Sequence, residues 1–326
     1  MDPRAALVRR LADGALHDED SLAGAAGIER RAVREHLVRL RDWRLAIESP
    51  PGLGHRLAEP LELLDVSTVT AALGERAGSR LDALEILDEV DSTNARLLAL
   101  PAPEPGRGRA CLAEFQSSGR GRRGRAWIQP YASGLCLSLG WSFKRDSGLG
   151  ALGLAAGVAA LRALDAFGAG GLALKWPNDV LRDGRKLGGI LCELRATADG
   201  PAHVAIGVGL NLTLGAAQRA AIVDGGGLEP ADLADVRPRI GRSRLAVRLL
   251  DALVTMAEDF SLSGLASFAD EWRAADALQG RAVRVLDSRP REGVARGIDA
   301  DGALRIEVGG QLERITAGDV TLRAVA

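Results

Sequence analysis

Lysine is scarce in this chain of 326 residues: of 42 basic side chains, only Lys144, Lys175 and Lys186 are lysines. Arginine serves wherever a generic positive charge suffices, so a lysine marks a place where a compact, rotatable ammonium is needed instead of a guanidinium fork. Cysteine is equally scarce. Cys111, Cys136 and Cys192 are odd in number, far apart and set in apolar contexts, which argues against a disulfide scaffold or a zinc site and fits a reducing compartment. Net charge is nearly absent: 42 basic against 43 acidic residues leave −1. That balance excludes a generally basic nucleic-acid coat or a disordered acidic tail, so any polyanion must be met by a local patch. Long apolar runs are missing too. The most apolar stretch, 148–161, is shorter than the roughly 20 residues a membrane span needs, and the first turns of the chain carry charge throughout, without a signal-peptide core. A soluble cytoplasmic protein is expected. At about 150 residues per domain, the length points to two or three domains.

Residues 4–59 read as a small separate unit. A first helix is expected over 5–11, and Asp20 or Ser21 can cap a second through 22–26, broken by Gly27. A third helix carries Val33, Leu37 and Leu40 on one face, with Arg30, Arg31, Arg34 and Arg41 elsewhere. Two helices joined by a tight glycine turn, the second basic on its exposed side, form the helix-turn-helix pattern. Residues 45–48 and 55–58 flank SPPGLG at 49–54, a hairpin of the winged-helix kind. DNA binding through Arg30, Arg31 and Arg34 and a three-helix module for protein contacts with a solvated arginine face both remain open on these residues. Charge does not decide between them: residues 1–60 hold ten basic and ten acidic side chains, although 29–44 alone carry six against three.

Beyond a short connection at Pro60, helical stretches alternate with short β-rich runs as far as about residue 272, as in a mixed α/β domain around one main sheet. After Leu278, the segments 282–286, 293–298, 304–308 and 311–315 are separated by turn residues, which predicts a small C-terminal β-barrel. The fold class is α+β, in three units: 1–60, 61–276 and 277–326.

Four segments carry chemistry. GRGRRG at 119–124 formally matches the dinucleotide fingerprint, but the four arginines of 116–125 would crowd the positive end of the helix dipole that this motif requires. A loop closing amides and guanidinium groups on an anion fits better. A minor-groove arginine arm or a merely solvated loop stays open. KWPND at 175–179, followed by KLGGI at 186–190, holds two of the three lysines. Pro-Asn-Asp favours a turn, placing Lys175 at a strand end with Asn178 and Asp179 just beyond, and Gly188-Gly189 permits close approach by a ligand. An ordinary hairpin is the plain alternative. DSTN at 91–94 serves equally as a helix cap or as ligand hydrogen-bonding groups. IGVGLNL at 206–212 reads, taken alone, as a buried strand packed tightly against a neighbour.

Together and in this order, these segments closely resemble the bacterial bifunctional biotin operon repressors/biotin-protein ligases. The resemblance runs nearly end to end, from LRDW at 40–43 through DSTN, GRGRRGRAW, KWPND, KLGGIL and IGVGLNL to TLR at 321–323. It implies a winged helix-turn-helix, a biotin-ligase catalytic domain and an SH3-like barrel. The implied activity is ATP-dependent attachment of biotin, through biotinyl-5'-adenylate, to a lysine of the biotin carboxyl carrier protein of acetyl-CoA carboxylase. In repressor members the adenylate is also the corepressor. By position, Ser92, Thr93, Asn94, Gln116, Arg120, Gly121, Gly188 and Gly189 fall to biotin. Arg122 and Lys186 fall to catalysis at the biotin carboxylate and the phosphate. Lys175, Asn178, Asp179, Asn211 and Arg323 fall, with Arg122, on the nucleotide side, with Mg²⁺ near the phosphates. A ligand-promoted homodimer on operator DNA is implied as well. The sequence departs from the pattern in three places: 215–228 lacks an aromatic residue to cover adenine, the wing PGLGH at 51–55 lacks a lysine and a tyrosine, and the third helix carries Arg30-Arg31 and Arg34-Glu35 in place of small and polar residues, so the DNA sequence preference is expected to differ. A ligase with a vestigial N-terminal unit and a biotin-sensing factor without ligase activity are the competing readings. A lipoate ligase fits the arginine-rich loop less well.

Overall fold

The computed structural model describes residues 2–144, 148–195, 200–224, 228–236, 239–286 and 290–322. The N-terminal unit comprises α1 (Pro3–Leu11), α2 (Glu19–Ala26) and α3 (Arg30–Arg39), then a two-stranded hairpin, β1 (Ile47–Glu48) and β2 (Arg56–Leu57). Its core is the stripe expected from spacing: Val33, Leu37 and Leu40 are buried against Leu7, Leu11 and Leu22. The cap of α2 is Asp18, which accepts from the Ser21 amide at 2.7 Å, two residues earlier than the expected Asp20 or Ser21. Asp20 instead stands with Glu19 in the first turn of the helix, where acidic side chains favour the dipole. Gly27 ends α2 in the left-handed conformation that glycine adopts without strain.

The connection after Pro60 switches allegiance within two residues. The Leu61 amide still bonds to Ala12 O of the helical unit at 2.9 Å. Glu62 already belongs to the next unit: its carboxylate accepts from the Arg242 and Ser243 amides at 2.9 and 3.0 Å. Two short helices follow, α4 (Val66–Ala72) and α5 (Glu75–Arg80).

The central unit is built on β3 (Leu81–Val90), α6 (Thr93–Ala99), β4 (Gly108–Gln116), β5 (Gly134–Phe143), α7 (Leu152–Asp165), β6 (Leu172–Lys175), β7 (Asp179–Arg182), β8 (Arg185–Arg195), β9 (Ala202–Asn211), α8 (Ala216–Asp224), α9 (Arg242–Ser263) and α10 (Ala269–Ala274). Its seven strands run in the order β3-β4-β5-β9-β8-β7-β6, antiparallel except for the β3–β4 pair. β5 is buried along its whole length. Alternation along β5 and β9 separates two faces. Leu137, Leu139, Trp141, Ile206, Val208 and Leu210 join the main core with α7 and α9. Ser138, Gly207 and Gly209 look toward α6 and the loop before β5. Each fully buried leucine or valine in such a core contributes about 1.5–3 kcal/mol. One buried ion pair lies beneath the connection: Arg242 meets Glu114 at 2.6 Å, and the second Glu114 oxygen accepts from the Leu64 amide at 2.6 Å.

The C-terminal strands β10 (Ala282–Leu286), β11 (Arg291–Ile298), β12 (Leu304–Val308), β13 (Gln311–Ile315) and β14 (Asp319–Leu322) pair in the order β13-β12-β11-β10-β14. All the pairs are antiparallel. β13 and β14 stay at opposite edges among the described residues, so the expected SH3-like barrel is here an open, curved sheet. A bulge between Ala295 and Ile298 bends it without closing the ladder. Trp176 ties this sheet to the central unit by donating its Nε1 hydrogen to Gly302 O at 3.0 Å. No helix among the described residues is long and apolar enough to cross a membrane.

Candidate active site

One cavity of about 510 Å³ opens on the α6 side of the sheet and collects the expected residues. Ser92, Thr93, Asn94, Gln116, Arg120, Gly121, Arg122, Lys175, Asn178, Asp179, Lys186, Gly189 and Asn211 all line it. Arg323 lies outside the described residues, although its neighbours Val320 and Thr321 on β14 reach the cavity wall.

One end of the cavity is polar and without net charge. Ser92 ends the β3–α6 turn and caps α6, accepting from the Ala95 amide at 3.4 Å. Gln116, at the end of β4, accepts at Oε1 from the Thr93 amide (2.8 Å) and hydroxyl (3.1 Å), and donates from Nε2 to Cys136 Sγ at 3.3 Å. The buried Ser138 hydroxyl lies 2.7 Å from both Thr93 Oγ1 and Asn94 Oδ1. Asn94 spends both amide hydrogens on β8, one on Leu191 O and one on the Glu193 carboxylate, at 3.0 and 2.9 Å. It therefore ties α6 to the sheet and frames this end.

The other end is cationic. Arg122, Arg125, Lys175 and Lys186 gather there with Asp179, the single carboxylate among the described lining residues, whereas Arg120 stands 3.7 Å from Glu193, the carboxylate that Asn94 also binds. Lys175 ends β6 and Asp179 opens β7 across a turn containing the cis Trp176–Pro177 bond. Asp179 holds Lys186 Nζ at 2.6 Å and Lys175 Nζ at 3.8 Å. KWPND forms the hairpin of the plain reading, and its side chains line the cavity, where the ligand reading expects them. Asn178 clamps the hairpin by donating to Ile190 O at 2.9 Å. Burial pulls Lys175 below the ordinary lysine range, Asp179 opposing and Lys186 adding to the fall. Burial also draws Arg122 down, with Arg123 close by, and one of its terminal nitrogens is buried without a partner. Cations held in this way are stabilised by an anionic ligand.

The arginine-rich segment forms a compact loop. Gly121 donates to Arg125 O at 2.7 Å and Trp127 to Gly119 O at 2.8 Å, around a three-residue 3-10 turn at Arg122–Gly124. No α-helix starts there, so the dinucleotide fingerprint fails as the arginine crowding implied. Arg123 leans on the C-terminal sheet, donating to Leu286 O at 3.2 Å.

Two glycine assignments need correcting. Gly188 does not line the cavity: a Cβ there would meet Gly209 O at 2.5 Å, so the residue serves strand packing. Gly207 and Gly209 are tightly packed as read, but against site residues, since a Cβ would meet Asn94 Oδ1 at 2.5 Å or the Trp127 ring at 2.6 Å. Trp127 therefore lies across β9 as a wall, a role the sequence reading missed. The signal was present as two glycines on one face of a buried strand. Cys136, Ile222, Leu228 and Pro230 were missed as well. Asn211 donates to Ala231 O at 3.2 Å, while its own amide oxygen is buried without a partner. Residues 229–231 also fix the Lys186 backbone, which donates to Glu229 O at 2.9 Å and accepts from the Ala231 amide at 2.8 Å.

Arg30, Arg31 and Arg34 stand exposed on α3, far from this cavity in the fold, each ion-paired with a carboxylate of α2 or the α2–α3 turn.

A family model described as the biotin/lipoate A/B protein ligase family matches residues 87–211, and one described as the biotin protein ligase C terminal domain matches 279–323. The bifunctional ligase/repressor BirA of Salmonella typhimurium is 34% identical over 98% of this chain and 97% of its own length. Its Escherichia coli counterpart is 33% identical over 98% and 96%. The biotin--[acetyl-CoA-carboxylase] ligase of Mycobacterium tuberculosis is 36% identical over 75% of this chain and 90% of its own. The solved biotin protein ligase from Aquifex aeolicus, in complex with biotin and ATP, shares the fold with a TM-score of 0.62 at 24% identity, over 74% of this chain and 99% of that one. With about a third of its residues shared along nearly its whole length with bifunctional ligase/repressors, this chain belongs to the biotin protein ligase family.

Proposed function

We propose that this chain is an ATP-dependent biotin-protein ligase that also represses transcription. The observation that carries the catalytic half is the cavity itself: a polar end without net charge, where Arg120 is paired with Glu193, and an end with four cations around one carboxylate. The polar end suits a small neutral ring system. Ser92, Thr93, Gln116, Arg120, Gly121 and Gly189 would surround biotin there, with Asn94 framing the wall and Trp127 packed alongside. The cationic end suits a carboxylate meeting a triphosphate.

Attack by the biotin carboxylate on the α-phosphorus forms a carboxyl–phosphate anhydride bond, breaks the α–β phosphoanhydride and releases pyrophosphate. Two anions must be neutralised and held in line, and such positioning is worth up to about 7–11 kcal/mol. Lys186 and Arg122 take that task. Lys186 is poised for it because its ammonium already rests on Asp179 and can turn to a ligand without losing a charge partner. Lys175, Asn178 and Arg323 would face the nucleotide. The unpartnered amide oxygen of Asn211 is an acceptor for the adenine amino group, and Ile222 and Leu228 offer an aliphatic cover. A neutral lysine amine of the acceptor then attacks the carbonyl carbon, AMP leaves with the bonding pair, and the amine loses a proton. Among the described residues Asp179 is the one carboxylate lining the cavity, so a magnesium ion would be held mainly by phosphate oxygens and water. Such an ion would stabilise charge on the departing pyrophosphate.

The acceptor is taken to be the biotin carboxyl carrier protein of acetyl-CoA carboxylase, as the names of the relatives imply. The division at 1–60, 61–276 and 277–326 assigns operator DNA binding to the winged helix-turn-helix, catalysis to the central unit and cover of the cavity to the C-terminal sheet. A two-fold homodimer in the cytoplasm is part of this reading, because a single near-neutral helix-turn-helix binds weakly.

The test is biotin- and ATP-dependent pyrophosphate release, followed in the same tube by an apo carrier domain scored by mass. Release and a gain of one biotinyl group are expected. Biotin binding without release would make the central unit a sensor and overturn the ligase.

A further inference from the structure

The three arginines of α3 are not equivalent. Arg31 pairs at 2.5 Å with its near neighbour Glu29, both side chains being mostly exposed. Arg34 donates through Nε to one oxygen of Glu19 at 2.5 Å, and Arg30 donates through Nε to the other at 3.1 Å. Arg30 also donates through Nη1 to Asp20 at 3.1 Å. Glu19 opens α2 and is 15% exposed, whereas Arg34 is 78% exposed. The guanidinium is the more exposed partner of the pair. His55, at the foot of the wing, stands 3.6 Å from the same carboxylate, so Glu19 links α2, α3 and the hairpin. Hydrogen bonds from Arg34 and then Arg30 hold the Glu19 carboxyl down to about 2.

Bonding through Nε has a geometric consequence. Neither terminal nitrogen of Arg34 makes a hydrogen bond among the described residues and the side chain is 78% exposed, so the two together can serve as a flat two-donor fork. That fork matches O6 and N7 of guanine in the major groove, which a lysine ammonium cannot do as a bidentate donor. Arg30 has one terminal nitrogen left, suited to a phosphate oxygen. Arg31, held by neither Glu19 nor α2, has no such orientation.

We infer that Glu19 is a positioning residue that fixes Arg34 to read a guanine, with Arg30 on the adjoining phosphate. The inference rests on the DNA-binding reading above and adds to it the base that is read and the residue that sets the reader. The occupant is B-form duplex DNA, since a two-donor fork on an exposed helix needs a groove wide enough to admit that helix.

The experiment uses the full-length protein with biotin and ATP and a library of randomised duplexes, sequenced after selection, for the parent, Glu19→Gln and Arg34→Lys. The parent is expected to enrich a motif containing a guanine in each half. Both variants should lose roughly tenfold or more of the preference at that guanine, the scale of one bidentate pair. Arg34→Lys keeps the charge and removes the fork, so a loss of preference in it reports the two-donor geometry and not the charge. An unchanged guanine preference in both variants overturns the inference, and so does a loss of thermal stability in Glu19→Gln with the preference intact. Should Glu19→Gln fail to fold, Glu19→Asp, which keeps the charge and shortens the reach to Arg34, takes its place. A parent that enriches no motif removes the DNA-binding reading itself, whereas a parent motif that survives both substitutions leaves that reading standing and removes the roles given to Glu19 and Arg34; loss of the preference in Arg34→Lys alone removes the role of Glu19.

Discussion

The indole of Trp43 lies on the phenol ring of Tyr131, with centroids 4.6 Å apart and planes 17° from parallel. Trp43 ends the third-helix segment of the N-terminal unit, and Tyr131 precedes β5, four residues after the Trp127 wall. The Arg4 guanidinium covers the other indole face at 4.6 Å. Trp43 Nε1 donates to Glu89 at 3.1 Å, and the Tyr131 hydroxyl donates to Asp88 at 2.9 Å. These carboxylates sit at the end of β3, immediately before the DSTN turn. The N-terminal unit thus touches both segments that frame the polar end of the cavity.

Trp43→Ala should therefore lower stability by about 3 kcal/mol, the scale for removing a fully buried large aromatic side chain. Trp43→Phe, which keeps a ring on Tyr131, should lose less. Urea unfolding followed by circular dichroism checks both, and a change within about 0.5 kcal/mol for the alanine variant would show that the stack holds nothing together.

The glycines of β8 and β9 separate binding from folding. Gly209→Ala drives a methyl into the Trp127 ring, which can move, so kcat/KM for biotin should fall on the order of 10²-fold with the fold intact. Gly188→Ala drives a methyl into the Gly209 carbonyl, which cannot move without the strand, and should cost about 1–3 kcal/mol of stability. Steady-state kinetics beside thermal melts distinguish the two, and reversed phenotypes would refute the placement of both residues.

Lys186→Ala should reduce pyrophosphate release by roughly 10²–10³-fold, the loss seen when one charge-stabilising donor is removed from a reacting oxyanion. The fold should survive, because the Lys186 backbone keeps its bonds to Glu229 and Ala231. Parent-like release would remove this residue from the chemistry.

Asp276 gives a pH signature away from the site. Burial pushes its carboxyl up to about 6, the Leu278 amide opposing. The folded form holds the proton more tightly, so the unfolded chain binds fewer protons between the two pKa values, and stability falls as pH rises through that window. The full effect is at most about 3 kcal/mol. Asp276→Asn should thus gain stability at neutral pH and none near pH 4, as read by denaturant midpoints at both. An equal gain at the two pH values would exclude this cause.

Much of this was readable beforehand for local reasons. Val33, Leu37 and Leu40 declared a helix face by spacing, and the scarcity of lysine marked Lys175 and Lys186 before any geometry was known. What sequence could not reveal depends on partners distant along the chain. Gly188 and Gly209 look alike in sequence, and only strand register decides which faces the cavity and which faces a backbone carbonyl. Barrel closure likewise depended on whether β13 reaches β14, which no segment encodes alone. Asp18 outdid Asp20 as a cap because helix boundaries shift by a residue or two with no change in pattern.

The connection at Leu61 and Glu62 has a consequence for how such chains can be cut and joined. Leu61 bonds backward to Ala12, and Glu62 bonds forward to the first turn of α9, where Arg242 in turn grips Glu114 under Leu64. The backbone handover between the two units therefore spans one peptide bond, while Leu61 and Leu63 both still pack on the N-terminal core. A lineage that sheds the N-terminal helices must sever the chain before Glu62 or find another carboxylate for the start of α9, and a graft made a few residues later would carry away a piece of the catalytic body with the helices.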